Sequence, residues 1–443
     1  MERRTKRQAS FSENIVGSLK TVVNMRKSLQ VRLRTNRSIS TEGSKVYKTN
    51  LLLIGTVTSS SLSKTFVDAS INPGPAEIVQ KYLIKGLCSV GLKSIEVISA
   101  PRIPAYPKTT VKRVQADEWS IGQAKIHSVG FNNLDGFGFI DRAKKIKKAA
   151  LQWAKRYEKE AKTVLIYSMH SPFLEAAQEI KRIHPKTVVA IVIPDLPQYM
   201  SVQKGLKKFL KEWDMEKIKR LMACVDKYVL YTKYMADYFH LSTDKWTVLE
   251  GLMDVSKIVP NDLPKDRERP ICMYAGRLDV RYAIDKLIEA FGMIPEVDLQ
   301  LYGSPSDAAK LRGLIDDSEN VSYMGTLSQD DVFERMREVD LLINPRPTDI
   351  DLSKYSCPSK TFEYMASGTP VLMTKLPGLP EEYYPYLYFF EEESVNGFSK
   401  GIKEVIGYSK EQRHEKGRKA QEFLQAEKNA YSQVKRIIEF VCQ

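Results

Sequence analysis

The sequence encodes an α/β protein of 443 residues, built as two doubly wound, Rossmann-like domains in series that face an interdomain cleft. Three observations lead to this expectation. Short apolar runs alternate with amphipathic stretches of helical period. The alternation stops once, at "TVLEGLMDVSKIVPNDLPKDRERP", where periodicity is lost and Pro and charge gather, and then begins again. No stretch approaches the roughly eighteen uninterrupted apolar residues that a membrane-spanning helix needs.

The first domain is expected over residues 49–255, after a basic extension at 1–48. "TNLLLIGTV" opens it: an apolar run ended by Gly and a Ser-rich loop, as in a buried parallel strand. "AEIVQKYLIKGLCSVG" follows with Ile78, Val79, Tyr82, Leu83 and Leu87 on one helical face. "SIEVISA", "TVLIYSM", "TVVAIVIPD" and "KYVLYT" read as further strands separated by helical patterns. The second domain is expected over 256–424, with a helix from about 425 to 443 placed to pack back on the first. Its strands are "ICMYAGRL", "VDLQLYGS", "VSYMGTL", "DLLINPR" and "TPVLMT", and its helices "AIDKLIEAF", "DAAKLRGLID" and "DDVFERMREV". In open α/β sheets ligands bind at the carboxyl ends of the strands, so the loops following these strands are where function is expected.

Composition narrows the class. Hydrophobic residues make up 43% and charged residues 28%, which fits a globular protein with a substantial core. The five cysteines, Cys88, Cys224, Cys272, Cys357 and Cys442, have no metal-ligand or redox spacing and fit a reducing cytosol. No apolar segment of signal-peptide type follows the basic N-terminus. The net charge is +14, of which residues 1–48 carry +9, from twelve Lys/Arg against three Asp/Glu. An anionic surface is the expected partner of such a segment. Nucleic acid is not expected, because no aromatic-rich basic groove accompanies the charge.

"CPSKTFEYMASGTPVLMT" carries the chemistry. Ser359 is placed to open a helix and Gly368 to end it in the left-handed conformation. Free N–H groups with Lys360 beside them make an anion site. Glu363 lies on the face of Ser359 and is not at the capping-box position, which Phe362 occupies. Its carboxylate is either a solvated charge favourable at a helix start or an acceptor for paired ribose hydroxyls.

The string "PSKTFEYMASGTPV" resembles the donor site of family 4 glycosyltransferases, which have the GT-B fold. "YAGRLDVRYAIDKLIEAF", "LYGS", "YMGTLSQDDV", "DLLINPR" and "GLPEEY" extend the resemblance in the family's order, over residues 50–440. It is strongest to the branch that builds bacterial capsular and exopolysaccharides. The resemblance implies retaining transfer of a sugar from a nucleotide-sugar donor, usually a UDP-sugar, without a bound metal or other cofactor. It gives Glu363 the ribose, and Arg277 and Arg281 the charge that develops on the diphosphate. It lays the donor against Gly276, Gly303 and Gly325, with Gly325 near the base, and against Ser359, Lys360, Gly368 and Thr369. It faces His170, in "IYSMHSP", toward the reacting sugar as a hydrogen-bonding or proton-accepting group. In the first domain, Gly74 of "SINPGPAEIVQKYLIKGL" permits close approach to the donor phosphate, and Asn72 and Asp195 are acceptor-site candidates. The position eight residues before Glu363, often Glu in the family, is Tyr355. A metal-binding role for Asp349 and Asp351 is the alternative to a metal-free site.

The location follows from the basic stretches. Phe11, Ile15, Leu19, Val22, Leu29 and Leu33 recur at helical spacing among basic residues, as in an interfacial helix. "DRAKKIKKAALQWAKRYEK" and "SVQKGLKKFLKEWDMEKIKR" add charge, with Trp153 and Trp213 suited to the headgroup level. The expectation is a cytoplasmic enzyme, peripheral on the inner face of the membrane, extending a lipid-linked saccharide acceptor. A GT-B sugar-nucleotide epimerase, or a non-catalytic GT-B scaffold that binds membranes or a partner, are the alternatives.

Overall fold

A computed structural model describes residues 46–443, apart from 70–74, 197–205, 254, 256–257, 264–265, 305–307 and 358. The expected amphipathic helix within 1–48, and the candidates Asn72 and Gly74, lie outside the described residues.

The first lobe contains β1 (Tyr47–Gly55), α1 (Ser60–Asp68), α2 (Pro75–Leu87), β2 (Leu92–Ser99), β3 (Arg113–Val114), β4 (Asp117–Ile121), β5 (Ala124–Ser128), β6 (Phe131–Asn132) and α3 (Phe137–Arg156). It continues through β7 (Lys162–Tyr167), α4 (Ser171–Ile183), β8 (Val188–Ile193), α5 (Leu206–Leu221), β9 (Lys227–Leu230), α6 (Tyr234–Tyr238) and β10 (Trp246–Val248). Eight strands form one sheet in the order β10-β9-β8-β7-β1-β2-β5-β4. All neighbours are parallel except the β4–β5 hairpin, which closes one edge. The order reverses between β1 and β7, so the loops after these two strands flank a crevice.

The second lobe contains β11 (Ile271–Ala275), α7 (Ile284–Gly292), β12 (Asp298–Tyr302), α8 (Ala308–Asp316), β13 (Val321–Gly325), α9 (Gln329–Glu338), β14 (Leu341–Asn344), α10 (Asp351–Tyr355) and α11 (Ser359–Ser367). It ends with β15 (Val371–Met373), β16 (Tyr388–Phe389), α12 (Val395–Gly407), α13 (Lys410–Glu427) and α14 (Ala430–Val441). Its six strands are all parallel, ordered β13-β12-β11-β14-β15-β16, and the order reverses between β11 and β14. These are two Rossmann-like halves, as the alternation predicts.

Each sheet has a core on both faces. Along β1, Leu52 and Ile54 join one buried cluster while Leu51 and Leu53 join the other, the period-two consequence of a fully covered strand. Helix α7 buries Ile284, Leu287, Ile288 and Phe291, a spacing of three and four residues that makes one apolar stripe. Helix α13 starts at a capping box between Ser409 and Gln412.

The chain crosses back at its end. Val434, Ile437, Ile438 and Val441 of α14 are buried in the first lobe's core, against α2. The crossover after β10 is held to this helix by buried charge. Glu250 lies 3.5 Å from both Lys428 and Arg436, and Lys428 reaches Glu382 at 2.5 Å. Tyr355 of α10 packs edge-on to Tyr238 of α6, with ring centroids 5.9 Å apart, and against the first lobe's core. The position often occupied by Glu in the resembled family thus contributes an aromatic contact between lobes.

One expectation is corrected. Trp153 is fully buried beneath α3, so it is a core residue and not a headgroup anchor, whereas Trp213 on α5 is exposed. The basic helix pattern hid an apolar stripe of Ile146, Ala150, Trp153 and Ala154 that faces the sheet.

Candidate functional site

Three strand ends of the second lobe are stitched together. Gly276 N–H, after β11, donates to the Tyr302 carbonyl at 2.8 Å, and Gly303 N–H, after β12, donates to the Gly325 carbonyl at 2.9 Å. All three glycines have positive φ: 154° at Gly276, 134° at Gly303 and 81° at Gly325. A Cβ on Gly303 would stand 1.7 Å from the Gly276 carbonyl oxygen, and one on Gly276 would stand 1.4 Å from Lys360 Nζ. Glycine is therefore required, and its absent side chain is what admits the lysine.

Lys360 comes from the first turn of α11. Its Nζ donates to Tyr274 Oη at 3.1 Å and lies 4.6 Å from that ring's centroid. Burial lowers its pKa to about 8, with Arg346 adding to the fall and Glu363 opposing it. Glu363 lies one turn further along α11, where burial raises its carboxyl pKa and Gln329 Nε2 donates to it at 3.3 Å. Lys360, Glu363, Gly276 and Gly303 line a common pocket of about 230 Å³, whose other wall is Leu327, Val332, Phe333 and Met336. A cation, a carboxylate and an apolar wall around one pocket fit a phosphate, a pair of hydroxyls and an aromatic base.

Arg277 and Arg281 are placed differently from this pocket. Both project from the loop after β11 and are largely exposed. Asp279, itself buried, caps the 3-10 turn Val280–Tyr282 by accepting from Arg281 N–H at 2.9 Å. The same carboxylate takes the Arg281 guanidinium at 2.5 Å and lies 3.8 Å from Arg277 Nε.

A residue without a role in the sequence reading stands at the reversal of strand order. Arg346 follows β14, its guanidinium 5.8 Å from the Tyr282 ring centroid. Its Nε and one terminal nitrogen are buried without a hydrogen-bond partner. Burial lowers its pKa, and Asp195 of the first lobe is among the anions that oppose this. The sequence signal was available: a basic residue just past a strand end, in "DLLINPR".

Gly368 and Thr369 lie at the other end of α11, away from Lys360. Gly368 has φ 77°, as a helix terminator should. Thr369 is buried, donates to the Met336 carbonyl at 2.7 Å and accepts from Asn261 at 3.2 Å. These contacts fasten the helix end to the linker. The side chain of Ser359 lies outside the described residues, as does that of Asp351. Among the described residues, no three His, Cys, Asp or Glu side chains gather as a metal site would require.

In the first lobe, His170 follows β7 and precedes α4. Its ring packs against Phe173 and Phe139 at centroid distances of 4.9 and 6.0 Å. Nε2 lies 3.1 Å from a terminal nitrogen of Arg142. Burial, then Arg142 and Arg102, hold its pKa well below the usual histidine value, so the ring is neutral and Nε2 accepts. The proton then sits on Nδ1, which makes the ring a donor toward any ligand and not a base. Asp195, after β8, is open to solvent on one side. Burial on the other raises its carboxyl pKa, and Arg346 opposes the rise.

Residues 269–407 match the model of the family described as glycosyl transferases group 1. No curated protein matches the chain. Solved structures match it over nearly its whole length. The Anabaena HepE structure in complex with UDP is 14% identical with a TM-score of 0.57, covering 88% of this chain and 98% of that one. A glycosyltransferase from Rickettsia africae is 13% identical at 0.57, covering 89% and 98%. The trehalose 6-phosphate synthase of Burkholderia multivorans is 10% identical at 0.57, covering 89% and 96%. The fold they share with this chain is GT-B.

Proposed function

We propose that the protein is a glycosyltransferase that takes a sugar from a nucleotide-sugar donor, a UDP-sugar above others. The observation that carries this reading is the pocket shared by Lys360, Glu363 and the glycine-rich strand ends, inside the segment that matches the glycosyltransferase model. The diphosphate would lie by Lys360 and Arg346, the ribose on Glu363 and the base against Phe333 and Met336. UDP is favoured by the resemblance of the donor motif and by its presence in the similar HepE structure. The bond from the anomeric carbon to the diphosphate oxygen breaks, and an acceptor hydroxyl oxygen takes its place. The hydroxyl proton passes to the departing diphosphate. Buried cations placed before the reaction stabilise the charge that grows there without reorganising. They also supply counter-charge of the kind a metal would, and the reading is metal-independent. Retention of configuration follows from the family 4 resemblance.

The acceptor in this reading is a lipid-linked saccharide of bacterial glycan synthesis, reached at the cytoplasmic face of the membrane. Exposed Phe137, Phe139 and Ile140 start α3, and exposed Phe209, Leu210 and Trp213 lie in α5. Exposed Lys144, Lys145 and Lys148 and half-buried Lys211 accompany them. Apolar side chains among lysines suit an anionic interface, where each basic residue contributes about 1 kcal/mol. No described helix is long and apolar enough to cross a membrane.

Radiolabelled UDP-sugars, offered with and without a membrane lipid extract in the presence of EDTA, test the reading. Label is expected in the lipid fraction only when extract is supplied. Turnover of a UDP-sugar to free sugar without any acceptor would favour an epimerase instead. Failure of every donor with every extract would favour a non-catalytic scaffold.

A further inference from the structure

A second cationic centre lies in the first lobe, at the carboxyl edge of the sheet that also presents Asp195 toward Arg346. Arg142 is on the second turn of α3, and its guanidinium is wedged between aromatic rings, 5.6 Å from the Phe131 centroid and 6.0 Å from that of Phe139. One terminal nitrogen meets His170 Nε2, while Nε is buried with no partner. Among the described residues no carboxylate is in ion-pair contact with it. The adjacent Asp141 is turned to Asn132, accepting from its N–H at 2.9 Å and its side-chain amide at 3.1 Å. Arg102, exposed three residues beyond β2, is near enough that its charge lowers the pKa of both Arg142 and His170.

A guanidinium taken out of water normally keeps a carboxylate or other anion beside it. Here the nearest groups are aromatic faces, a neutral imidazole and a second cation. Cation–π contact offsets part of the desolvation, but it leaves Nε–H of the guanidinium without an acceptor. The N–H edge is the part of arginine that recognises oxyanions. His170 is fixed with Nε2 toward Arg142, so it holds that guanidinium in place while its own proton stays on Nδ1.

We propose that Arg142 and Arg102, with His170 orienting Arg142, bind a phosphoryl group carried by the acceptor. This rests on the glycosyltransferase reading and deepens it by naming the acceptor's charge. Two neighbouring cationic charges match the dianionic charge of a phosphate monoester better than the single charge of a carboxylate. The phosphoryl group is either on a soluble sugar or on a lipid, and the same contacts serve both.

The test uses the full chain saturated with UDP, so that the donor pocket cannot take the probe. Glucose 6-phosphate and water-soluble dihexanoyl phosphatidic acid are titrated calorimetrically, with glucose and dihexanoyl glycerol as uncharged partners. At least one phosphorylated probe is expected to bind, and its uncharged partner is not. Arg142→Gln and Arg102→Gln are each expected to weaken that binding ten-fold or more while UDP affinity is kept. Binding of the sugar phosphate alone assigns a soluble acceptor, and of the phosphatidic acid alone a lipid one. The proposal is overturned if neither phosphorylated probe binds, or if binding survives both substitutions unchanged. Should Arg142→Gln fail to fold, the exposed Arg102→Gln still decides. If the wild-type chain does not bind UDP at all, the glycosyltransferase reading falls instead.

Discussion

Lys360 and Arg346 are cations held where water is scarce, and among the described residues neither is in ion-pair contact with a carboxylate. Their free energy is therefore tied to whatever anion arrives. For Lys360 the sign of the pH dependence can be worked out. Its pKa in the free protein is about 8, against an ordinary 10.5, and a bound diphosphate favours the charged form. Affinity for a UDP-sugar should hold below about pH 8 and fall as pH rises from there toward the ordinary lysine value. In Lys360→Arg, where the charge persists, calorimetric titrations should show that alkaline loss moved upward. On the acid side the raised pKa of Glu363 means that affinity starts to fall above the usual carboxylate range. Arg346→Met should weaken UDP about ten-fold or more, close to 1.4 kcal/mol, and leave uridine binding unchanged, because only the diphosphate meets the guanidinium. Arg281→Met should cost less, since that side chain already has Asp279. Equal losses of UDP and uridine in Arg346→Met would show that the substitution had disturbed the pocket as a whole.

The glycine turns at the ends of β11, β12 and β13 act together, because the Gly276 N–H is bonded to the Tyr302 carbonyl and the Gly303 N–H to the Gly325 carbonyl. Gly303→Ala places a Cβ against the Gly276 carbonyl at a φ of 134°. It should lower stability by about 2–4 kcal/mol in chemical denaturation, since backbone and not a flexible side chain must move. A loss below about 0.5 kcal/mol would mean that the strand ends are less rigid than described. Most of these elements were legible in the sequence. "ICMYAGRL", "VDLQLYGS" and "DLLINPR" are apolar runs ended by polar turns, and Lys360 and Glu363 sit at helical spacing. Other features depend on tertiary contacts that no local pattern records. The β4–β5 hairpin was not foreseen because an edge pair can alternate polar residues such as Glu118 and Lys125 and lose the apolar signature of a strand. Trp153 looked like part of a basic surface helix because lysines outnumber the buried stripe. Thr369 belongs to the same motif as Glu363, but the length of α11 carries it to the opposite end. Arg346 is informative only once its nitrogens are known to lack partners.

Among the described residues, the lobes are joined by the linker after β10, the return of α14 to the first lobe and the Tyr355–Tyr238 contact. The first two meet at a buried charge cluster in which Glu250 is shared by Lys428 and Arg436. Removing one member of such a cluster costs more than its contacts suggest, because the other charge stays buried. Lys428→Met should destabilise the chain by about 3 kcal/mol or more, read by urea denaturation. The Glu250→Gln/Lys428→Met double variant should recover part of that loss. The same architecture sets both crevices, one at each reversal of strand order, with Lys360 and Arg346 on one side and His170 and Asp195 on the other. The proposed activity depends on the second-lobe pocket holding a nucleoside diphosphate. Calorimetric titration of UDP into the wild-type chain and into Glu363→Ala decides that. UDP should bind the wild type with a single site per chain, and the variant should bind it at least ten-fold more weakly, about 1.4 kcal/mol, with its thermal unfolding temperature retained. Equal affinity in the two proteins, or no binding by the wild type, would contradict the account.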